Sequence, residues 1–229
     1  MTYLRRSNDR GFNDLGWLQS HHSFSFSSYH DPDHMGFSVL WVINDDQVQP
    51  GAGFATHSHQ DMEIISYVKQ GVIEHKDSMG NIKVLPAGEF QLMSAGTGVT
   101  HSEYNSSSDD RLSFLQIWIV PDTQGVEPGY QQKYFGRNPG LTLIASPDGR
   151  DGSLRIHQDA CLHHLLLEPG QRVEHAPLTG RDVYVHVVAG HLGVDGQHLE
   201  AGDGIGLSGP GQVQFSAQCK VEALVFDLP

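Results

Sequence analysis

Leu85-Pro86-Ala87-Gly88-Glu89-Phe90-Gln91-Leu92-Met93-Ser94 reads as a turn followed by a strand, and the chain carries the pattern twice. The second copy, Leu199-Glu200-Ala201-Gly202-Asp203-Gly204-Ile205-Gly206-Leu207-Ser208, keeps the Leu, Ala, Gly, acid and Ser positions. Upstream, Tyr67-Val68-Lys69-Gln70-Gly71 is matched by Val187-Val188-Ala189-Gly190 at a similar distance from its own copy. Segments recurring in the same order at similar separation indicate an internal repeat. What repeats is β structure, short runs of β-branched and aromatic residues closed by Gly, Pro, Asn or Asp. An all-β chain built as a duplicated β-barrel follows.

Outward from this stretch, the runs of the first half fall at 36–43, 62–68, 72–75, 82–85, 89–93, 99–104 and 112–120. Segments 44–46, 69–71, 78–81 and 86–88 supply turns, with Gly71, Gly80 and Gly88 where positive φ is needed. From 121 to 139, Pro121, Gly125, Pro128, Gly129 and Gly136 interrupt the strand rhythm and predict a short helix or irregular linker. The lobe boundary is placed there, giving an N-terminal barrel over 1–125 and a C-terminal barrel over 126–229. Beyond it the runs resume at 141–145, 154–157, 162–167, 183–188, 205–207 and 221–228.

The 229 residues suffice for two compact cores without covalent staples. A net charge of −13 opposes direct binding to nucleic acid or to an anionic membrane surface. Cys161 and Cys219 stand far apart, in no paired spacing, and read as two thiols of a reducing compartment. No run approaches the ~18 apolar residues of a membrane span, and the first residues lack the apolar core of a secretion signal. The expectation is a soluble, cytoplasmic protein.

Fifteen histidines point to metal chemistry. In Thr56-His57-Ser58-His59 the two imidazoles are two residues apart, so on a strand they project to one side. His101 and Glu103 in Thr100-His101-Ser102-Glu103 repeat that spacing at the end of another predicted strand. Set on facing strands, the two pairs would offer three nitrogens and one carboxylate oxygen. An octahedral ion so held keeps two positions for substrate or dioxygen.

Gly51 precedes His57 by six positions, Gly88 precedes Ser94 by six, Gly96 closes a turn, and Asn105 follows His101 by four. These spacings resemble the two cupin motifs, with three departures: the Glu63-to-Gly71 spacing is one residue longer, Ser94 stands for proline, and Thr97-Gly98 lengthens the turn before His101. With Ala95-Gly96-Thr97-Gly98-Val99-Thr100-His101-Ser102-Glu103-Tyr104-Asn105, they are similar to the pirin family of bicupins, two jelly-roll-like barrels in one chain. Phe24-Ser25-Phe26, Tyr29-His30-Asp31-Pro32, Met35-Gly36-Phe37, Val42-Ile43-Asn44-Asp45-Asp46 and Glu74-His75-Lys76-Asp77-Ser78 extend the resemblance over most of residues 1–120, after which only the general pattern persists.

The resemblance implies one mononuclear divalent metal bound by His57, His59, His101 and Glu103, with Glu63 outside the ligand set. Iron(II) is the first choice, and copper, manganese, nickel, cobalt or zinc would also suit the donors. It further implies a dioxygenase that opens a flavonol such as quercetin with O2, with Glu103 as the catalytic base. The competing implication, from eukaryotic members described as nuclear cofactors, is a metal-dependent, redox-sensing binding protein that regulates a transcription or metabolic partner through a protein surface. Flavonol cleavage as a side activity of a site serving another substrate is a third reading.

Other polar residues have plainer readings. Glu63 reads as a solvated carboxylate or a neighbour of the ligands, and His75 as a turn-flanking surface histidine or one near the mouth of the site. His21, His22, His30 and His34 read as part of a solvated segment laid over the barrel. In the second half Arg172-Val173-Glu174-His175 replaces a paired histidine motif, and 209–214 has no histidine. His163, His164, His186, His191 and His198 lack paired spacing, so the C-terminal lobe is expected to be structural and without metal.

Overall fold

The computed structural model describes residues 2–229, with 22 strands and two short 3-10 turns among them. The strands are β1 (Thr2–Arg5), β2 (Gly11–Asp14), β3 (Leu18–His22), β4 (Leu40–Val48), β5 (Gly53–His59), β6 (Glu63–Gln70), β7 (Val72–Asp77), β8 (Ile82–Pro86), β9 (Glu89–Ser94), β10 (Val99–Asn105), β11 (Leu112–Ile119) and β12 (Gly129–Tyr134). They continue as β13 (Gly140–Ser146), β14 (Leu154–Arg155), β15 (Cys161–Leu167), β16 (Arg172–His175), β17 (Asp182–Ala189), β18 (His191–Val194), β19 (Gln197–Glu200), β20 (Gly204–Ser208), β21 (Val213–Ala217) and β22 (Val221–Leu228). Among the described residues no helix is long and apolar enough to cross a membrane.

Two compact units result: Gly11–Phe135 with Ile156–Gln158, and residues 2–10 with Gly136–Arg155 and Asp159–Pro229. Each has a seven-stranded and a four-stranded sheet. The first unit orders them β12-β9-β6-β11-β4-β3-β2 and β5-β10-β7-β8; the second orders them β1-β20-β17-β22-β15-β13-β14 and β16-β21-β18-β19. The repeated segments thus fill matching places: β9, from the first copy, pairs with β6, and β20, from the second, pairs with β17.

The division differs from a cut at 125/126 for a physical reason. Gly129–Tyr134 is neither helix nor linker but an edge strand, pairing antiparallel with β9 from Gly129↔Ser94 to Tyr134↔Glu89. At the other end, β1 pairs with β20 of the second unit. The N-terminal region also folds further than its pattern suggested. β3 pairs with β4, matching Leu18↔Val48, Ser20↔Asp46 and His22↔Asn44, and its alternation buries Leu18, Ser20 and His22.

Apolar packing fills one end of the first barrel with Leu18, Val48, Val68, Ile73, Leu85, Leu112 and Phe114. A larger cluster, including Leu165, Val185, Leu192, Ile205, Phe215 and Val225, fills the second. The first barrel differs in one respect. Gln91, Ser66, Gln116, Asn44 and His22 are successive register partners across β9, β6, β11, β4 and β3, which puts five polar side chains in one row on the inner face of the large sheet.

Candidate metal centre

His57 and His59 lie on β5, His101 and Glu103 on β10. These are neighbouring antiparallel strands of the small sheet rather than strands facing across the barrel. His101 is the register partner of His57, but Glu103 is the partner of Phe54, so a bulge lies between them. Strict alternation would send Phe54 and His57 to opposite faces; the extra residue in β5 lets both border the same cavity. Gly53 permits this close approach, since a Cβ there would sit 2.4 Å from the Glu103 carbonyl oxygen. Asn105 ends β10 structurally: its side-chain amide donates to the carbonyls of Asp110 at 2.8 Å and Gln49 at 3.2 Å.

The three imidazoles converge. Ring centroids are 4.5 Å apart for His57 and His101, 4.8 Å for His57 and His59, and 5.0 Å for His59 and His101, and one nitrogen from each can be chosen with all three within 4.8 Å. Glu103 groups instead with His101 and His75, whose ligand atoms also lie within 4.8 Å of one another. His57 Nδ1 donates to the Ala55 carbonyl at 2.8 Å, which makes Nε2 the nitrogen with the free lone pair. Burial, reinforced by His101 and His57, lowers the pKa of His59 to about 4; burial, reinforced by His57 and His75, lowers that of His101 to about 3. Both rings are therefore neutral at pH 7, the form that ligates.

The test of fit to an ion is His101. It is 1% exposed, and neither ring nitrogen has a hydrogen-bond partner among the described residues. Buried polar atoms without partners are rare because each forfeits its hydration. A cation beside His101 would use such a nitrogen, and three imidazole nitrogens with one carboxylate oxygen suit a divalent transition metal.

Residues that sequence spacing did not reveal surround this cluster. Glu103 reaches to the opposite sheet, where Gln116 Nε2 donates to Oε2 at 2.9 Å and Ser66 Oγ lies 3.2 Å from Oε1. His75 is fully buried, not on the surface, and its Nε2 lies 2.9 Å from an Asp77 carboxylate oxygen. Burial pushes the Asp77 pKa up, but hydrogen bonds from His75 and Asn81 outweigh it and the net direction is down. Glu63 is not solvated: it is 1% exposed, accepting from Ser94 Oγ at 2.8 Å and facing His157 Nδ1 at 3.2 Å. Burial raises its pKa.

A cavity of about 410 Å³ opens from the His57, His59 and Glu103 wall. Trp17, Phe26, Phe54 and Trp118 line it with aromatic surface, and Ser20, His22, Asn44 and Asp46 bring polar atoms from the large sheet. His22, expected in a solvated segment, is 2% exposed; its Nδ1 lies 2.7 Å from Asn44 Oδ1 and its Nε2 3.2 Å from Asn13 Nδ2. The only sequence signal for this was the period of two in Leu18, Ser20 and His22. Both groups of metal-competent side chains found among the described residues lie in this unit.

The family model described as Pirin matches residues 4–119, more than half of the chain. The chain belongs to the pirin family. A second model, described as the quercetinase C-terminal cupin domain, matches 143–228. Among relatives, this pirin is 48% identical to quercetin 2,3-dioxygenase of Escherichia coli K12 over 229 residues, spanning 100% of this chain and 99% of the other. A crystal structure of the bacterial pirin YhhW from Escherichia coli in complex with nickel(II) superposes with a TM-score of 0.97 at 48% identity, covering 100% of this chain and 99% of that one. YhaK from Escherichia coli is more distant, with a TM-score of 0.79 at 31% identity over 96% of this chain and 98% of the other.

Proposed function

We propose that this pirin is a metal-dependent dioxygenase that opens a flavonol of the quercetin type with O2, at a single ion held by His57, His59, His101 and Glu103. The observation that carries the reading is His101, buried with two ring nitrogens that have no partner among the described residues, and packed against His57 and His59, which line an aromatic-walled cavity. The 48% identical relative named quercetin 2,3-dioxygenase and the nickel complex of YhhW support it. Iron(II) remains the ion of choice, and nickel becomes a direct rival.

When bound, the ion supplies a Lewis acid that acidifies the flavonol 3-hydroxyl and a centre beside which O2 can react. The chain's own residues do the rest. Trp17, Phe26, Phe54 and Trp118 present ring faces and edges to a flat substrate and exclude water around it. Glu103 accepts the hydroxyl proton on a carboxylate oxygen, while Gln116 and Ser66 hold the carboxylate in a defined orientation. Overall, flavonol and O2 become a ring-opened ester and carbon monoxide, with all atoms retained.

The deciding experiment measures metal content of anaerobically purified protein and oxygen uptake on adding quercetin, beside a His57→Ala/His101→Ala variant. About one redox-active metal and oxygen uptake, both lost in the variant, uphold the proposal. Metal without oxygen uptake favours the partner-binding reading, and a wild type that binds no metal overturns the centre itself.

A further inference from the structure

We propose that Asp46 determines substrate specificity, its Oδ1 accepting a hydrogen bond from a phenolic hydroxyl on the part of the substrate lying away from the His57, His59 and Glu103 wall. The inference rests on the flavonol reading and refines it to aromatics hydroxylated at both ends. Asp46 sits on β4 with Ser20 and Phe114 as register partners, so its side chain turns into the barrel and borders the cavity from the large sheet. It is 3% exposed, and Oδ1 is buried with no hydrogen-bond partner among the described residues.

Among the described residues no ion pair accounts for a carboxyl here. Lys69, the nearby cation, pairs with Asp45, the next residue on the strand, whose side chain points to the other face. Ser20 hydrogen-bonds the Asp46 carboxyl but leaves Oδ1 unused. An apolar side chain of like volume would pack against Phe114 without the loss of hydration that a half-satisfied carboxyl suffers. An unsatisfied acceptor on a cavity wall calls for a donor delivered by the ligand.

That donor is a neutral hydroxyl rather than a cation. The opposite wall would carry the ion, which repels an ammonium group, and the remaining surface is largely apolar. Trp17 and Phe54 meet edge to face with centroids 5.1 Å apart, giving a flat ring a place to lie between the two polar walls. A site built to hydrogen-bond a hydroxyl discriminates strongly against the analogue that lacks it.

The test uses the metal-loaded enzyme with quercetin, hydroxylated on both outer rings, and 3-hydroxyflavone, which carries only the hydroxyl beside the ketone. Asp46→Leu should lower the ratio of kcat/KM for quercetin over 3-hydroxyflavone at least tenfold, chiefly through KM for quercetin, and Asp46→Asn should keep most of that ratio. An unchanged ratio in Asp46→Leu, with metal content and melting temperature retained, overturns the proposal. If the wild type turns over neither compound, the dioxygenase reading fails separately. Equilibrium binding of both compounds, followed by quenching of Trp17 and Trp118 fluorescence, then decides: selective weakening of quercetin in Asp46→Leu supports the role of Asp46, and parallel weakening or none refutes it.

Discussion

Gln116 Nε2 lies 2.9 Å from Glu103 Oε2, joining the large sheet of the first barrel to the small one through the single carboxylate of the candidate centre. Ser66, the register partner of Gln116, stands within hydrogen-bonding distance of both, 3.2 Å from Glu103 Oε1 and 3.0 Å from Gln116 Oε1. Glu103 is therefore oriented by two residues more than ten positions away in sequence. A hydrogen bond to a charged group contributes about 1.5–3 kcal/mol, so Gln116→Leu should reduce kcat roughly tenfold to a hundredfold. Steady-state kinetics with metal analysis checks this. Full kcat at normal metal content would show that Glu103 needs no such support.

His101 predicts a conflict between stability and function. In metal-free protein its buried, unpartnered nitrogens are a cost, so His101→Leu should leave the metal-free melting temperature unchanged or higher. The rise in melting temperature on adding metal, which follows the logarithm of metal concentration over Kd, should vanish in the variant. Thermal melts with and without iron(II) or nickel(II) report both effects. A metal-dependent rise that survives the substitution would remove His101 from the ligand set.

Asp46 sets a pH dependence. Burial is the main cause that raises its pKa to about 7, with Asp45 and Glu103 adding to it and the Ser20 hydrogen bond opposing. The stability this implies is fully present below the unfolded pKa of about 4 and is lost as pH rises through 7, because the folded state holds a proton that the unfolded chain has released. Asp46→Asn does not titrate. Its stability relative to wild type should therefore climb from pH 4 to pH 7 and level off above, by up to about 4 kcal/mol. Urea denaturation across that range measures it, and a difference independent of pH would refute the assignment.

Gly53 is held by contact rather than by its own conformation. A methyl group would meet the Glu103 carbonyl oxygen at 2.4 Å and the Tyr104 Cα at 2.5 Å. Forcing β5 and β10 apart should cost about 1–3 kcal/mol in Gly53→Ala. Because the same strands carry His57, His59 and His101, metal affinity should fall with stability. A variant that melts lower but binds metal as the wild type does would separate the bulge from the alignment of the ligands.

The all-β class and the duplication were legible because both are written in local terms: a period of two, turns that need glycine, and Leu85–Ser94 recurring as Leu199–Ser208. The same period put His57 beside His59 and His101 beside Glu103 on one face each. Face, however, is all that local alternation encodes. That β5 lies next to β10 with a bulge between His101 and Glu103, that β3 joins the large sheet beside β4 and buries His22, and that Gly129–Tyr134 pairs with β9 are consequences of strands meeting across tens of residues. Pairing and register are selected by which apolar faces the closed barrel can bury together, a property of the whole chain. Ser66, Gln116, His75 and Asp46 carry no motif of their own, and only that register aligns the first two with Glu103, buries His75 beside His101 and turns Asp46 toward the cavity.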